Sequence, residues 1–238
     1  MLTEDLLSYI FDGQPHLLAQ SMVTWLSSSR RFTAFVTTFR DKIRKKRRAT
    51  RDEESLLDLR LEWETAFLLL QERLLSLVYE PQLSRQLRGP DFAVTYTTSI
   101  TFMIEVTRLQ TAVSPVLAPG LKSERVADAI CGKLVQLLPQ HSHVLMVSIE
   151  ALHLTHSELG AAMLCIQHRV ERNDVTLLQR HQLQDRTDFF RHYQRLNKVL
   201  VRGPRQPATE PVVVWVNPQA KFSLPSKVRT ALYRSHSG

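Results

Sequence analysis

The sequence predicts a mixed α/β fold built on an α-β-β-β-α-β core, with helices added before it and further helices and a late strand after it. Three observations carry this expectation. Leu56, Leu59, Trp63, Ala66, Phe67 and Leu70 recur at the three-and-four spacing of a helix that buries one face. The stretch "DFAVTYTTSITFMIEV" holds two β-branched and aromatic runs joined by Thr97-Thr98-Ser99, a strand-turn-strand signal. Finally, "HVLMVSIEAL" is a continuous apolar run of strand length, as expected of a strand buried on both faces.

Taken in order, residues 1 to 26 read as helical, and "SSS" at 27 to 29 supplies the cap of a second helix over 30 to 48. Residues 1 to 50 are therefore read as a basic helical appendage, and residues 51 to 238 as the core with its C-terminal elaboration. The core's first helix begins near Asp52 and ends near Arg73. The run "LLSLVYEP" reads as a strand, the hairpin supplies two more, and Pro115, Pro119 and Gly120 mark an exit loop. A helix beginning after Ser123 carries Val126, Ile130, Leu134 and Leu137 inward and stops at Pro139. Residues 157 to 171 and 185 to 202 read as helices, the second with Phe189, Tyr193, Leu196 and Leu200 on one side and Arg191, Arg195, Lys198 and Arg202 as a basic ridge on the other. The run "PVVVWVN" at 211 to 217 is the late strand.

The hairpin raises a question of charge. If Tyr96 faces Ile100, Asp91 falls opposite Glu105 on a face shared with Ala93, Thr95, Thr101, Met103 and Thr107. Phe92, Val94, Tyr96, Phe102, Ile104 and Val106 fill the other, core face. Two opposed like charges about 5 Å apart repel by roughly 3 kcal/mol at an effective dielectric near 20. A bound cation reverses that sign. On spacing alone, a wet, splayed hairpin end is the simpler account of the pair.

Composition narrows the function classes. The net charge is +8, yet residues 30 to 51 hold ten Lys or Arg and one Asp, while the remainder has 21 basic and 22 acidic residues. The excess is thus confined to one arm, either a solvated helix face or a footprint for phosphate backbones, with Arg44, Lys45, Lys46, Arg47 and Arg48 at its densest point. The start "MLTEDLLSYI" is acidic and no run approaches ~18 uninterrupted apolar residues, so a cytoplasmic protein without membrane association is expected. Cys131 and Cys165 stand alone, without a CxxC, and are read as inert thiols. The sequence lacks GxGxxG, GxxxxGK[ST] and GxSxG, which sets aside dinucleotide-binding, P-loop and serine-hydrolase chemistry. The pair His153 and His156 in "HLTH" has no third ligand at a recognisable zinc spacing.

The order α-β-β-β-α-β, with "GPDF" opening the second strand and "IEVTR" on the third, resembles the PD-(D/E)XK, or restriction-endonuclease-like, nuclease superfamily over about residues 52 to 150. The resemblance implies a mixed central sheet and a Mg²⁺ (or Mn²⁺) site held by Asp91 and Glu105. It makes Glu62 the accessory helix acid, with Glu64 as a rival, and Lys133 and Gln136 in "ICGKLVQLL" the polar pair of the helix after the third strand. It also exposes a departure: the family's motif lysine, two residues after the acid, is Thr107 here. Lys133 is the candidate to replace it.

The expectation is a metal-dependent nuclease acting on DNA, with Asp91, Glu105, Thr107, Glu62, Lys133 and Gln136 at the catalytic site. Nucleic acid is assigned to Arg44 through Arg48 and to the ridge of Arg191, Arg195, Lys198 and Arg202. Two alternatives stand beside it: a catalytically degraded relative that binds nucleic acid, and an interaction scaffold. Oligomeric state is left open, a homodimer among the options.

Overall fold

The computed structural model describes residues 3–81, 89–109, 119–149, 154–203 and 212–236. Among these, a six-stranded mixed sheet with strand order β1-β2-β3-β4-β5-β6 is covered by helices on both faces. The strands are β1 (Leu75–Tyr79), β2 (Phe92–Tyr96), β3 (Ile100–Leu109), β4 (His143–Ile149), β5 (Leu196–Arg202) and β6 (Val213–Val216). The first three form an antiparallel meander. A helix, α5 (Pro119–Leu134), crosses from β3 to β4, which runs parallel to it, and three more helices cross from β4 to a parallel β5. Such parallel pairings need a long return, and helices supply it. β6 closes the sheet as an antiparallel neighbour of β5.

Hydrophobic alternation divides the interior in two. Phe92, Val94, Tyr96, Phe102, Ile104 and Val106 all enter one core, as period two requires, together with Val144, Met146 and Leu200. Over them lie α1 (Thr3–Phe11), α2 (Ala19–Ser28), α3 (Arg30–Ala49), α4 (Glu53–Leu69) and α9 (Ser226–His236). The N-terminal helices therefore share one core with α4 and the sheet. Leu145, Val147, Val199 and Val201 point the opposite way, into a second core closed by α5, α6 (His156–Glu171), α7 (Val175–Arg180) and α8 (Arg186–Tyr193).

Local chemistry explains the helix ends. Ser29 accepts the Phe32 N–H at 3.2 Å and caps α3, Asp52 accepts from Ser55 at 2.8 Å and caps α4, and Thr155 with Glu158 forms a capping box on α6. The helical stretch expected over residues 1 to 26 is broken at Asp12 and Gly13, whose φ angles of 57° and 66° turn the chain between α1 and α2. Asp12 is held there by the guanidiniums of Arg44, Arg47 and Arg48, which fasten the turn to the last part of α3.

Two expectations are corrected. Pro119 and Gly120 open α5 rather than lying in an exit loop; proline is tolerated in a first helical turn because its missing N–H has no partner there. Pro115 lies outside the described residues. The helix expected over 185 to 202 ends at Tyr193, and Leu196–Arg202 is the strand β5. The spacing 189, 193, 196, 200 mimics a helical stripe, but "LNKVLV" is buried without interruption between β4 and β6. Continuous burial, which periodicity alone cannot distinguish from a helix, decided for strand.

Phe32 is fully buried, with its ring against Trp25, Phe35 and Phe67, so it joins α2, α3 and α4. Phe32→Ala should cost about 3–5 kcal/mol, the usual range for a buried phenylalanine. A lower urea midpoint with an unchanged denaturant slope checks it.

A candidate site at the start of the second strand

The Gly-Pro-Asp segment enters β2 past the end of β1. A Cβ on Gly89 would lie 2.6 Å from the Pro81 carbonyl oxygen, so the close passage of these two backbones requires glycine. Asp91 follows, just ahead of Phe92. Its carbonyl accepts the Glu80 N–H at 2.9 Å, and its carboxylate Oδ2 accepts the Val106 N–H at 2.8 Å. Asp91 is thereby hydrogen-bonded to the peptide that directly follows Glu105.

The pairings Tyr96 with Ile100 and Phe92 with Ile104 reproduce the register expected from the sequence. The carboxylates nevertheless serve different neighbours. Glu105 pairs in register with Leu145, whose side chain is in the second core, and its Oε2 lies 3.9 Å from the Lys133 ammonium of α5. Lys133 also donates to Gln136 Oε1 at 3.3 Å. Asp91 Oδ1 lies 4.0 Å from the ammonium of Lys46, on α3. A residue outside the regular strand is not bound by the strand's alternation, and the Val106 N–H provides the anchor.

Lys46 is the hub of this second group. Its ammonium lies 2.6 Å from Glu62 Oε2, 2.8 Å from Glu80 Oε1 and 5.4 Å from the centre of the Tyr79 ring. The Tyr79 hydroxyl donates to the same Glu62 oxygen at 3.0 Å. Glu62, Asp91 and Glu105 are all buried. Burial and then the neighbouring Asp91 charge push the Glu62 carboxyl up to about 7, against the ammonium that pulls it down. Burial works against the charge on Lys46, but Glu62 and Asp91 outweigh it and its pKa is raised. Burial followed by the Glu62 charge drives the Tyr79 phenol well above its ordinary value.

Of the two candidate acids, Glu62 is the one whose charge interacts with Asp91, while Glu64 accepts from Arg202 at 3.2 Å. Thr107 is half-buried and, by alternation, shares the Glu105 face. Sequence reasoning missed Glu80 and Tyr79 and placed Lys46 on an outward basic face. A signal was present: Phe32, Val36, Phe39 and Ile43 form the inner stripe of α3, and Lys46 is its next position.

No family model, curated protein or solved structure matches this chain. Hard carboxylate oxygens suit Mg²⁺, which takes one or two protein carboxylates and keeps waters for the rest of its shell. Asp91 and Glu105 are oxygen donors of that kind, and the Val106 N–H ties the Asp91 carboxylate to the strand that carries Glu105. Among the described residues no group of three or more His, Cys, Asp or Glu side chains is arranged to hold a metal by itself.

The other residues expected at a nucleic-acid interface have mixed fates. Arg44, Arg47 and Arg48 converge on Asp12, and Lys45 is exposed. The ridge of Arg191, Arg195, Lys198 and Arg202 does not exist as a helix face. Arg191 is exposed and pairs with Asp188, Arg195 donates to the Leu137 carbonyl at 2.7 Å, Lys198 is buried in β5, and Arg202 meets Glu64. Of the "HLTH" pair, His153 lies outside the described residues, and the His156 ring approaches the Val214 carbonyl at 3.3 Å.

The raised Glu62 carboxyl has a measurable sign. Because its folded pKa, about 7, exceeds the unfolded value of 4.5, the folded state binds this proton more tightly. The stability it contributes is full below pH 4.5 and is lost as pH rises to about 7. In metal-free buffer, Glu62→Gln should flatten the decline in urea midpoint across this window; an unchanged decline would place its origin elsewhere.

Proposed function

We propose that the chain is a metal-dependent nuclease of the restriction-endonuclease-like type, acting on the phosphodiester backbone of DNA. The observation that carries the reading is that two groups of charged, mostly buried side chains, Lys46 with Glu62 and Asp91 and Lys133 with Glu105, lie at the same end of the hairpin and are linked by the Val106 N–H. Buried, unlike-charged groups with displaced pKa values are costly as mere scaffolding and are typical of sites that do chemistry. The α-β-β-β-α-β order and a mixed sheet, which the resemblance implies, support the reading.

In this reading Asp91 and Glu105 hold Mg²⁺ or Mn²⁺. When bound, such an ion polarises a phosphoryl oxygen and lowers the pKa of an attacking water. The remaining work belongs to the protein. Lys133, beside Glu105, offers the positive charge that Thr107 does not, where charge develops on the phosphate. Gln136 holds the Lys133 ammonium by hydrogen bonding. Val106 N–H fixes the Asp91 carboxylate, and Glu62 sets its electrostatic surroundings. The arm of α3 attracts the substrate: three guanidiniums share the single Asp12 carboxylate, so their excess charge persists, and Lys45 adds to it.

A second reading is favoured by the uncharged Thr107 and by the ammonium of Lys46 among the acids. It is a degraded relative that binds DNA without cleaving it.

Cleavage separates the two. Plasmid nicking should require Mg²⁺ or Mn²⁺, vanish in Glu105→Gln, and fall about 10²–10³-fold in Lys133→Ala, the scale for loss of one donor to developing charge. Thr107→Lys in the Lys133→Ala background should restore part of the rate. DNA binding that persists in a wild-type protein with no nicking selects the degraded relative.

DNA affinity should fall with salt at a slope of about −0.9 in log K against log salt for each phosphate neutralised. Lys45→Glu should weaken binding to all sequences alike and shallow that slope. A slope near zero in filter-binding titrations removes nucleic acid as the partner.

A further inference from the structure

Three carboxylates, Glu62, Glu80 and Asp91, approach one ammonium, that of Lys46, at 2.6, 2.8 and 4.0 Å. The other nearby lysine, Lys42, is committed to the backbone carbonyls of Tyr79 and Glu80, at 2.9 and 2.8 Å. Glu62 and Asp91 thus face the same cation, whose charge offsets their mutual repulsion. We propose that Lys46 is a resident cation beside Asp91, one of the two acids assigned to the metal, and that its ammonium and a divalent ion bound at Asp91 exclude each other.

The geometry makes the exchange feasible without rearranging the fold. Ile43, one turn earlier, is fully buried and anchors α3, while Asp12 holds the same stretch through Arg44, Arg47 and Arg48. Only the lysine side chain has to move. It is a flexible four-carbon stem ending in a compact charge, and here it retains 22% of its exposure, so solvent lies within its reach. An arginine could not leave so simply, because its planar fork is held by several directional bonds at once. Glu80, at 39% exposure, marks the open side of the cluster.

The inference rests on the nuclease reading only in taking Asp91 as a metal ligand, and its test does not depend on cleavage. In wild-type protein, acetic anhydride labelling followed by mass spectrometry reports the accessibility of Lys46, with exposed Lys45 as internal control. Saturating Mn²⁺ should raise Lys46 labelling about tenfold relative to Lys45. In a thermal-melt titration, Lys46→Met should reach half its maximal stabilisation at an at least tenfold lower Mn²⁺ concentration than wild type, with Lys46→Arg shifted the opposite way. Labelling unchanged or slowed by Mn²⁺ would overturn the inference, as would a Mn²⁺ response that is equal in all three proteins or absent from them. Absence of nicking together with metal-driven exposure of Lys46 sinks the nuclease reading alone; nicking with Lys46 still protected sinks this inference alone.

Discussion

The arrangement at the head of β2 depends on one constraint: the carboxylates of Glu62 on α4 and of Asp91 before β2 are brought together where little water reaches them, with Glu80 at their open side. Taking an ionised carboxylate out of water costs several kcal/mol, and opposite charge offsets that cost only with close geometry and further hydrogen bonds. The protein meets the requirement in three ways. Lys46 brings a charge, the Tyr79 hydroxyl and the Val106 N–H bring donors, and the Glu62 carboxyl is shifted toward holding a proton. Each of these ties a different element to the site, so α3, α4, β1 and the hairpin are positioned by polar contacts as well as by the apolar core beneath them.

That dependence explains the N-terminal helices. Read as sequence, residues 1 to 50 are a basic appendage whose charge faces outward. In the fold, their aromatic stripe packs against Tyr79, Phe92 and Phe67, and the same register delivers Lys46 to the acids. Asp12, Arg44, Arg47 and Arg48 then serve two ends, since a cluster of three cations on one anion both fastens a turn and keeps a positive surface. Residues that look alike in a basic run thus differ completely in role, and only the helical phase relative to Ile43 tells Lys46 from Lys45.

Much of the fold was legible because its signals are local. The hairpin register followed from Tyr96 and Ile100 flanking a three-residue link, and the alternation of Phe92, Val94, Phe102 and Ile104 predicted the core face. The helix caps at Ser29 and Asp52 were similarly local. What failed was β5. Leu196, Val199, Leu200 and Val201 carry no period that separates a buried strand from a helix, and their state is set by β4 and β6 on either side. The basic ridge went with it, leaving Lys198 buried and Arg202 paired to Glu64. For the candidate site, the elements that carry Glu105, Glu62 and Lys133 were readable, but not the partners of these side chains. Alternation places Asp91 opposite Glu105; a single backbone N–H, from Val106, and the ammonium of Lys46 turn its carboxylate toward α3 and α4.

Thr107 is where these considerations meet. Period two keeps it on the Glu105 face, so a lysine there would stand beside the same carboxylate that Lys133 already approaches at 3.9 Å. Two ammoniums beside one buried carboxylate would repel each other and raise the cost of burial, whereas a threonine hydroxyl at that position adds no charge. The half-buried Thr107 is therefore compatible with a cation supplied from α5, and the two positions are alternatives rather than additive. On the opposite side of β2 the same logic applies to Lys46, whose charge is balanced by Glu62 and Asp91. The hairpin end is flanked by one lysine from each helical layer, each beside a buried acid. The two lysines differ in how they are held: Lys133 is tied to Gln136 on its own helix, while Lys46 is shared among acids from α4, from the residue after β1 and from the residue before β2.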